Sequence, residues 1–174
     1  QLLFQLRLAL PDADQFLAID SQTIGWRRDN AQAVDVHRLR FALGEAHTAE
    51  QATDAPATRR WLEEAVAQYG GELLPECYDD WIRPDREYLH DLACDAQRRL
   101  LRLLSDQQDY AAALEVGRGM LRLDPLDEEA YRHLLRLYSL LHDPSGARHV
   151  YEAAVDTLRR ELGAEPGEAL RRAF

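Results

Sequence analysis

The segment CDAQRRLLRLLSDQQDYAAALEVGRGMLRLDPLD, residues 94–127, is followed directly by EEAYRHLLRLYSLLHDPSGARHVYEAAVDTLRRE, residues 128–161. Laid over one another, the two are identical at ten of 34 positions: Ala96/Ala130, Arg98/Arg132, Leu100/Leu134, Leu101/Leu135, Arg102/Arg136, Leu103/Leu137, Ser105/Ser139, Asp109/Asp143, Ala113/Ala147 and Val116/Val150. In each copy the apolar residues follow helical spacing in two runs, broken where Asp109 or Asp143 stands.

A 34-residue period with two helices per unit is the signature of a tetratricopeptide-like array, in which a helix pair buries its apolar face only by stacking on the next pair. The expected fold class is therefore mainly α, a tetratricopeptide-like helical repeat wound into a right-handed α-α superhelix. Tyr131, Leu134 and Tyr138 fall on the first helix of the second copy, and Ala147, Tyr151 and Ala154 on its second helix. The first copy keeps Leu100, Ala113 and Pro125 but has Gly117 where an aromatic is expected, so it reads as degenerate. Farther back, Ala65 and Tyr69 repeat the Ala147/Tyr151 spacing and point to an earlier unit whose boundaries stay open. Alanine at a tight crossing lets helices approach, and Tyr or Leu one turn away fills the hole beside it, so these positions read as core.

Punctuation between the runs is of the helix-starting kind. Asp54 precedes Pro56, Arg83 precedes Pro84 and Asp143 precedes Pro144, which places proline in a first helical turn. Asp143 is well placed to accept orphan N–H groups, Asp127, Glu128 and Glu129 open another helix, and Gly163 is a stop. The pattern predicts helices near 35–47, 56–69, 84–106, 109–122, 127–142, 144–162 and 166–173. The link from Gly70 to Arg83 is the least regular part, with a helical turn at 79–82 as one candidate.

The first thirty residues read differently. Leu2, Leu3, Leu6 and Leu10 form a helical stripe that Pro11 and Asp12 end, and two β-favouring runs, Phe16 to Ile19 and Ile24 to Trp26, flank the polar Asp20 to Thr23. A helix end plus a hairpin cannot build a core of its own, and a polar connector over 27–33 joins it to the helices. Residues 1–30 and 31–174 are thus expected to be separate units. The start at Gln1, without Met or a signal peptide, reads as the continuation of something longer.

The chain of 174 residues carries 21 basic and 31 acidic residues, a net charge of −10, so by itself it is repelled by a phosphate backbone. Every basic residue is Arg, which reads as coding bias. The longest stretch free of Asp, Glu and Arg, residues 65–71, is far short of the ~20 apolar residues of a membrane span. Cys77 and Cys94 stand in no metal-ligand spacing and fit a reducing cytoplasm.

Chemistry of catalysis is not legible. The glycines form no phosphate-cradling pattern, and no nucleophile stands with a base. His90 and Cys94, four apart on one helix, lack a second ligand pair and read as a structural His and a buried thiol rather than a metal site. Asp79 and Asp80 beside Trp81 read as loop or capping groups. The expectation is a non-enzyme without cofactor or metal. One feature stands out: Arg98, Arg102, Arg132 and Arg136 recur at the repeat period on first helices, where a helical-repeat groove is lined. Such a ladder suits carboxylates of an acidic peptide, or a phosphate. Against it stand Asp95 beside Arg98 and Arg99, and Glu129 beside Arg132, which can neutralise the guanidiniums locally.

The order of parts resembles a known family. The stretch QLRLALPDADQFLAIDSQTIGW, then DVHRLRFAL, then WLEEAVAQYGGELLPECYDDWIRPDREYL, then the repeats through Glu165, Pro166 and Leu170 resembles the bacterial transcriptional activator domain. That domain is found in Streptomyces antibiotic regulatory proteins and larger ATPase-containing relatives. The most specific pieces are Gly71-Glu72-Leu73-Leu74, Asp80-Trp81 with Arg86 and Leu89, Leu123-Asp124-Pro125-Leu126 with Glu129-Ala130, and Glu161-Leu162-Gly163 with Glu165-Pro166. The resemblance implies that residues 1–30 are the last part of a winged-helix DNA-binding domain, its recognition-helix end and wing hairpin, and that DNA is reached through the rest of that domain. It implies no catalytic residues. The implied role is a regulatory module working through protein contacts with its own winged helix, with a second copy in a homodimer, or with RNA polymerase. The alternative is a scaffold or sensor unit of a signalling ATPase, which a Walker A motif after Phe174 would mark.

Overall fold

The structure, a computed structural model, describes residues 17–20, 23–27 and 34–174. The helix end expected at 1–10 and most of the 27–33 connector lie outside the described residues. Strands β1 (Leu17–Ile19) and β2 (Ile24–Trp26) pair antiparallel, Leu17 opposite Trp26 and Ile19 opposite Ile24. Asp20 closes the turn between them, accepting the Thr23 backbone N–H on Oδ1 and the Thr23 hydroxyl on Oδ2, both at 2.6 Å.

Seven helices follow: α1 (Asp35–Gln51), α2 (Ala55–Gln68), α3 (Arg83–Asp106), α4 (Tyr110–Leu123), α5 (Glu128–Leu140), α6 (Pro144–Leu162) and α7 (Glu168–Ala173). A 3-10 turn at Asp80–Ile82 leads into α3. Helix α1 runs four residues past its expected end. Helix α7 starts two residues late, because the buried Pro166 precedes a Gly167 that serves as N-cap.

One turn is used three times. Thr53, Gln108 and His142 take the left-handed conformation, with φ of 56°, 60° and 54°. The next residue is Asp in each case, and its N–H returns to the carbonyl five residues back, Asp54 to Ala49, Asp109 to Leu104 and Asp143 to Tyr138, all at 2.9 Å. Each Asp side chain then accepts the N–H three residues on, from Ala57, Ala112 and Gly146. An Asp N-cap of this kind stabilises a helix by ~1 kcal/mol. The repeated turn defines three helix pairs, α1/α2, α3/α4 and α5/α6, and fixes the boundaries of the early unit.

It also corrects that unit's register. Counted from the capping Asp, Ala147 corresponds to Ala113 and Thr58, whereas Ala65 corresponds to Ala154. The Ala65/Tyr69 spacing had matched two turns too early. Thr58 is buried, and its hydroxyl donates to the Asp54 carbonyl at 2.8 Å, so a polar side chain sits at the alanine position without an unpaired group.

From α1 to α6 each helix packs on its neighbours in sequence, and α7 folds back on α5. The core runs as a chain of three clusters. Leu39, Leu43, Ala65, Leu89 and Ala96 join α1, α2 and α3. Leu62, Leu100, Leu104, Ala113, Ala130 and Leu134 span the middle. Tyr131, Leu135, Ala154, Leu158 and Leu170 close the far end under α7. Every alanine expected at a crossing is buried or half-buried.

Gly117 is where the first copy was expected to be degenerate. A Cβ there would lie 2.7 Å from Leu134 Cδ2 and 3.1 Å from its Cγ, so α4 and α5 approach too closely for a side chain. Tyr151, at the matching position of the last pair, instead stacks on Phe174, with ring centroids 4.3 Å apart and planes 8° from parallel. Tyr138 fills a similar crossing: its ring lies against Gly146, and its hydroxyl accepts from Arg118 Nη2 at 2.8 Å. Gly117→Val should therefore overpack the α4/α5 crossing and lower stability by about 1–3 kcal/mol. Gly44→Ala, on α1 with nothing within 4 Å of the added Cβ, should raise it by about 0.8–1.0 kcal/mol. Urea unfolding of both variants checks the pair of signs.

Candidate functional site

Of the four arginines at the repeat period, the structure brings two together. Arg132 and Arg136, one turn apart on α5, line a cleft of about 550 Å³ between α5 and α7, into which α7 adds Arg172. Glu129, expected to neutralise Arg132, instead faces His133, with Oε1 3.7 Å from Nε2. Arg172 pairs with Glu168. Arg132 and Arg136 have no ion pair with any described residue.

Arg102 lines a separate cleft of about 390 Å³ where α3 meets the α1–α2 turn, beside Glu50, Arg99 and Asp106. There Arg99 holds Glu50 with two bonds, at 3.1 and 2.9 Å, and Asp95 turns to Arg99 at 3.4 Å. Arg98 approaches Asp127 at 4.0 Å, the residue whose carboxylate caps α5. Arg172 was not visible in the sequence pattern, since only the fold-back of α7 carries it to α5. That fold-back is fixed by Leu170, which is fully buried, and by Glu128, which accepts the Gly167 N–H at 2.9 Å.

The link from α2 to α3 is irregular but pinned. Arg86, on the first turns of α3, donates through Nε to the Leu73 carbonyl at 2.7 Å and through Nη2 to the carbonyls of Leu74 and Cys77, the latter at 2.8 Å. Its Nη1 meets Glu72 at 3.2 Å. One guanidinium therefore satisfies carbonyls that a loop would otherwise leave to water, the planar fork suiting several acceptors at once. Asp79 and Asp80 diverge: Asp79 accepts the Trp81 indole N–H at 3.3 Å, while Asp80 pairs with Arg83 at 3.0 Å.

Behind the link, Cys94 Sγ lies 3.5 Å from His90 Nε2, and Tyr69 meets the His90 ring edge-on. Burial pushes the Cys94 thiol above its ordinary value; Arg98 opposes the shift, and Asp124, Asp127 and Asp91 add to it. Among the described residues no group of three His, Cys, Asp or Glu is placed to hold a metal, and no helix is long and apolar enough to cross a membrane.

Stacked helix pairs of this kind make a helical-repeat superhelix. Residues 34–174 match the bacterial transcriptional activator domain, and the chain belongs to that family. Its role is regulatory. No curated protein matches the sequence. Among solved structures it resembles EmbR of Mycobacterium tuberculosis, solved in complex with a low-affinity phosphopeptide, at 20% identity and a TM-score of 0.64. The likeness covers 98% of this chain and 45% of EmbR, so the chain spans less than half of that protein.

Two outcomes follow from the pinned link and the half-buried thiol. Arg86→Ala should free residues 70–79 at a cost of about 1–3 kcal/mol, read as new proteolytic cleavage within that segment while helical circular dichroism is kept. In a Cys77→Ser background, alkylation of Cys94 should reach half its plateau rate above the pH of an ordinary thiol, because the thiolate is the reactive form. Arg98→Gln should move that midpoint further up.

Proposed function

We propose that this chain is a non-catalytic protein-contact module of a cytoplasmic bacterial transcription activator, joined to a winged-helix DNA-binding domain of which residues 1–30 are the last part. Arg132 and Arg136 in the α5/α7 cleft, without an ion pair among the described residues, carry the reading. Two such guanidiniums one helical turn apart, with a third across the cleft, are suited to carboxylate or phosphate groups of a partner. Arg102 lies in a separate cleft and Arg98 faces Asp127, so the reading rests on the α5/α7 cleft.

The candidate partners are the attached winged helix, a second copy and RNA polymerase. In each case the stacked pairs hold the cleft in a fixed place, so occupancy of DNA by the attached domain raises the local concentration of that surface at the promoter. With a net charge of −10 the module itself stays off the DNA.

In the full-length regulator, Arg132→Glu with Arg136→Glu should lower activated transcription about tenfold or more, a loss typical of a binding hot spot, with folding and DNA binding retained. Arg102→Glu tests the α3 end separately. Unchanged activation by the folded, DNA-bound double variant overturns the proposed role of the cleft.

A further inference from the structure

The pinned link between α2 and α3 buries Ile82 and packs Leu73 on the core, but leaves three large apolar side chains exposed. Leu74, Tyr78 and Trp81 are 54%, 90% and 63% exposed, although the backbone beneath them is held by Arg86. Leu74 takes a left-handed φ of 47°, unfavourable for a bulky residue, and its carbonyl accepts from Arg86 Nη2. The bond from Trp81 Nε1 to Asp79 fixes the indole edge while most of the side chain stays in water. An aromatic held in one orientation and left wet loses little conformational freedom on binding, which is how interface anchors are built.

The surroundings are acidic. Residues 70–88 carry six carboxylates, Glu72, Glu76, Asp79, Asp80, Asp85 and Glu87, against Arg83 and Arg86. Of the two guanidiniums, Arg86 serves the loop and Arg83 is paired with Asp80. A wholly apolar partner would bury carboxylates without a counter-charge. A second copy meeting this face across a two-fold axis would set one acidic ring against another. DNA and anionic membranes are repelled by the same charge. A cationic protein surface satisfies both parts of the patch, since guanidinium or ammonium groups lie favourably over Trp and Tyr faces while neighbouring carboxylates take their charge. The chain already shows this contact elsewhere, with the Arg60 guanidinium 4.6 Å from the centre of the Trp61 ring.

We propose that the α2–α3 link around Trp81, which also exposes Leu74 and Tyr78, docks an Arg- or Lys-bearing protein segment, with Trp81 as its anchor. The inference rests on reading the chain as a protein-contact module, but shares no residue with the arginine cleft.

The test uses this chain and a fluorescein-labelled helical peptide of about 18 residues, carrying Arg at every fourth position on an Ala/Leu background. Fluorescence anisotropy should show saturable binding, and the peptide with Glu in place of Arg should not bind. Trp81→Ala should weaken binding about tenfold or more with an unchanged thermal midpoint, and Trp81→Phe should restore most of it. Glu76→Gln with Asp80→Asn should weaken binding, whereas Glu152→Gln with Asp156→Asn, removing the same charge from the exposed side of α6, should not. Equal binding by Trp81→Ala, equal effects of the two charge-removing pairs, or binding of the Glu peptide overturns the proposal. So does self-association in sedimentation that Trp81→Ala abolishes, which assigns the face to a second copy. The Arg132→Glu, Arg136→Glu variant should keep peptide binding, so failure of the cleft reading and failure of this one are separable.

Discussion

A helix pair has two apolar faces to cover and only one partner inside the pair. That constraint governs this molecule. The second face must be met by the next pair, so α2 covers α3, α4 covers α5, and α7 closes α5 and α6 at the far end through Leu170. What makes the stacking regular is the identical turn inside each pair, where a left-handed residue followed by a capping Asp sets the angle at which the second helix leaves. Two of the helix-capping aspartates also link successive pairs. Asp109 takes Arg59 from the preceding pair at 2.9 Å, while the α5 cap, Asp127, is approached by Arg98 at 4.0 Å. Such half-exposed ion pairs add little stability, but they give each junction a preferred register.

Close packing decides where the copies must differ. Gly117 and Tyr151 hold equivalent positions, yet one faces the full-length α5 and the other the short α7. The first site has no room for a Cβ beside Leu134, and the second has room for a ring that Phe174 then covers. A repeat compared only with itself makes Gly117 look like decay. Compared with its neighbour in space, the glycine is a requirement of the crossing.

Charge is sorted across the surface in a way the net value hides. The α5/α7 cleft gathers three guanidiniums, two of them without an ion pair among the described residues, while the α2–α3 link presents aromatics among carboxylates. Both features depend on segments outside the regular repeat: α7 supplies Arg172, and Arg86 holds the link in shape. The repeats provide the rigid frame, and the departures from repetition provide the surfaces that distinguish this module from a bare stack.

The sequence by itself determined the helix boundaries to within a few residues, the period, the caps at Asp127 and Asp143 and the crossing alanines of the last two pairs, because these depend on local spacing and on groups within one turn of each other. It also placed Arg98, Arg102, Arg132 and Arg136 on the first helices. Tertiary structure alone decided which of them share a cleft, that Glu129 turns to His133 and Asp95 to Arg99, that α7 brings Arg172 to α5, and that Arg86 spends its fork on three backbone carbonyls. Each of these depends on which distant surfaces meet and which rotamer then has a partner in reach, and neither is written in the spacing of residues along one helix. The register of the first pair shows the same limit: Ala65 and Tyr69 matched a spacing, but only the turn at Asp54, closed by hydrogen bonds in three dimensions, showed where the count begins.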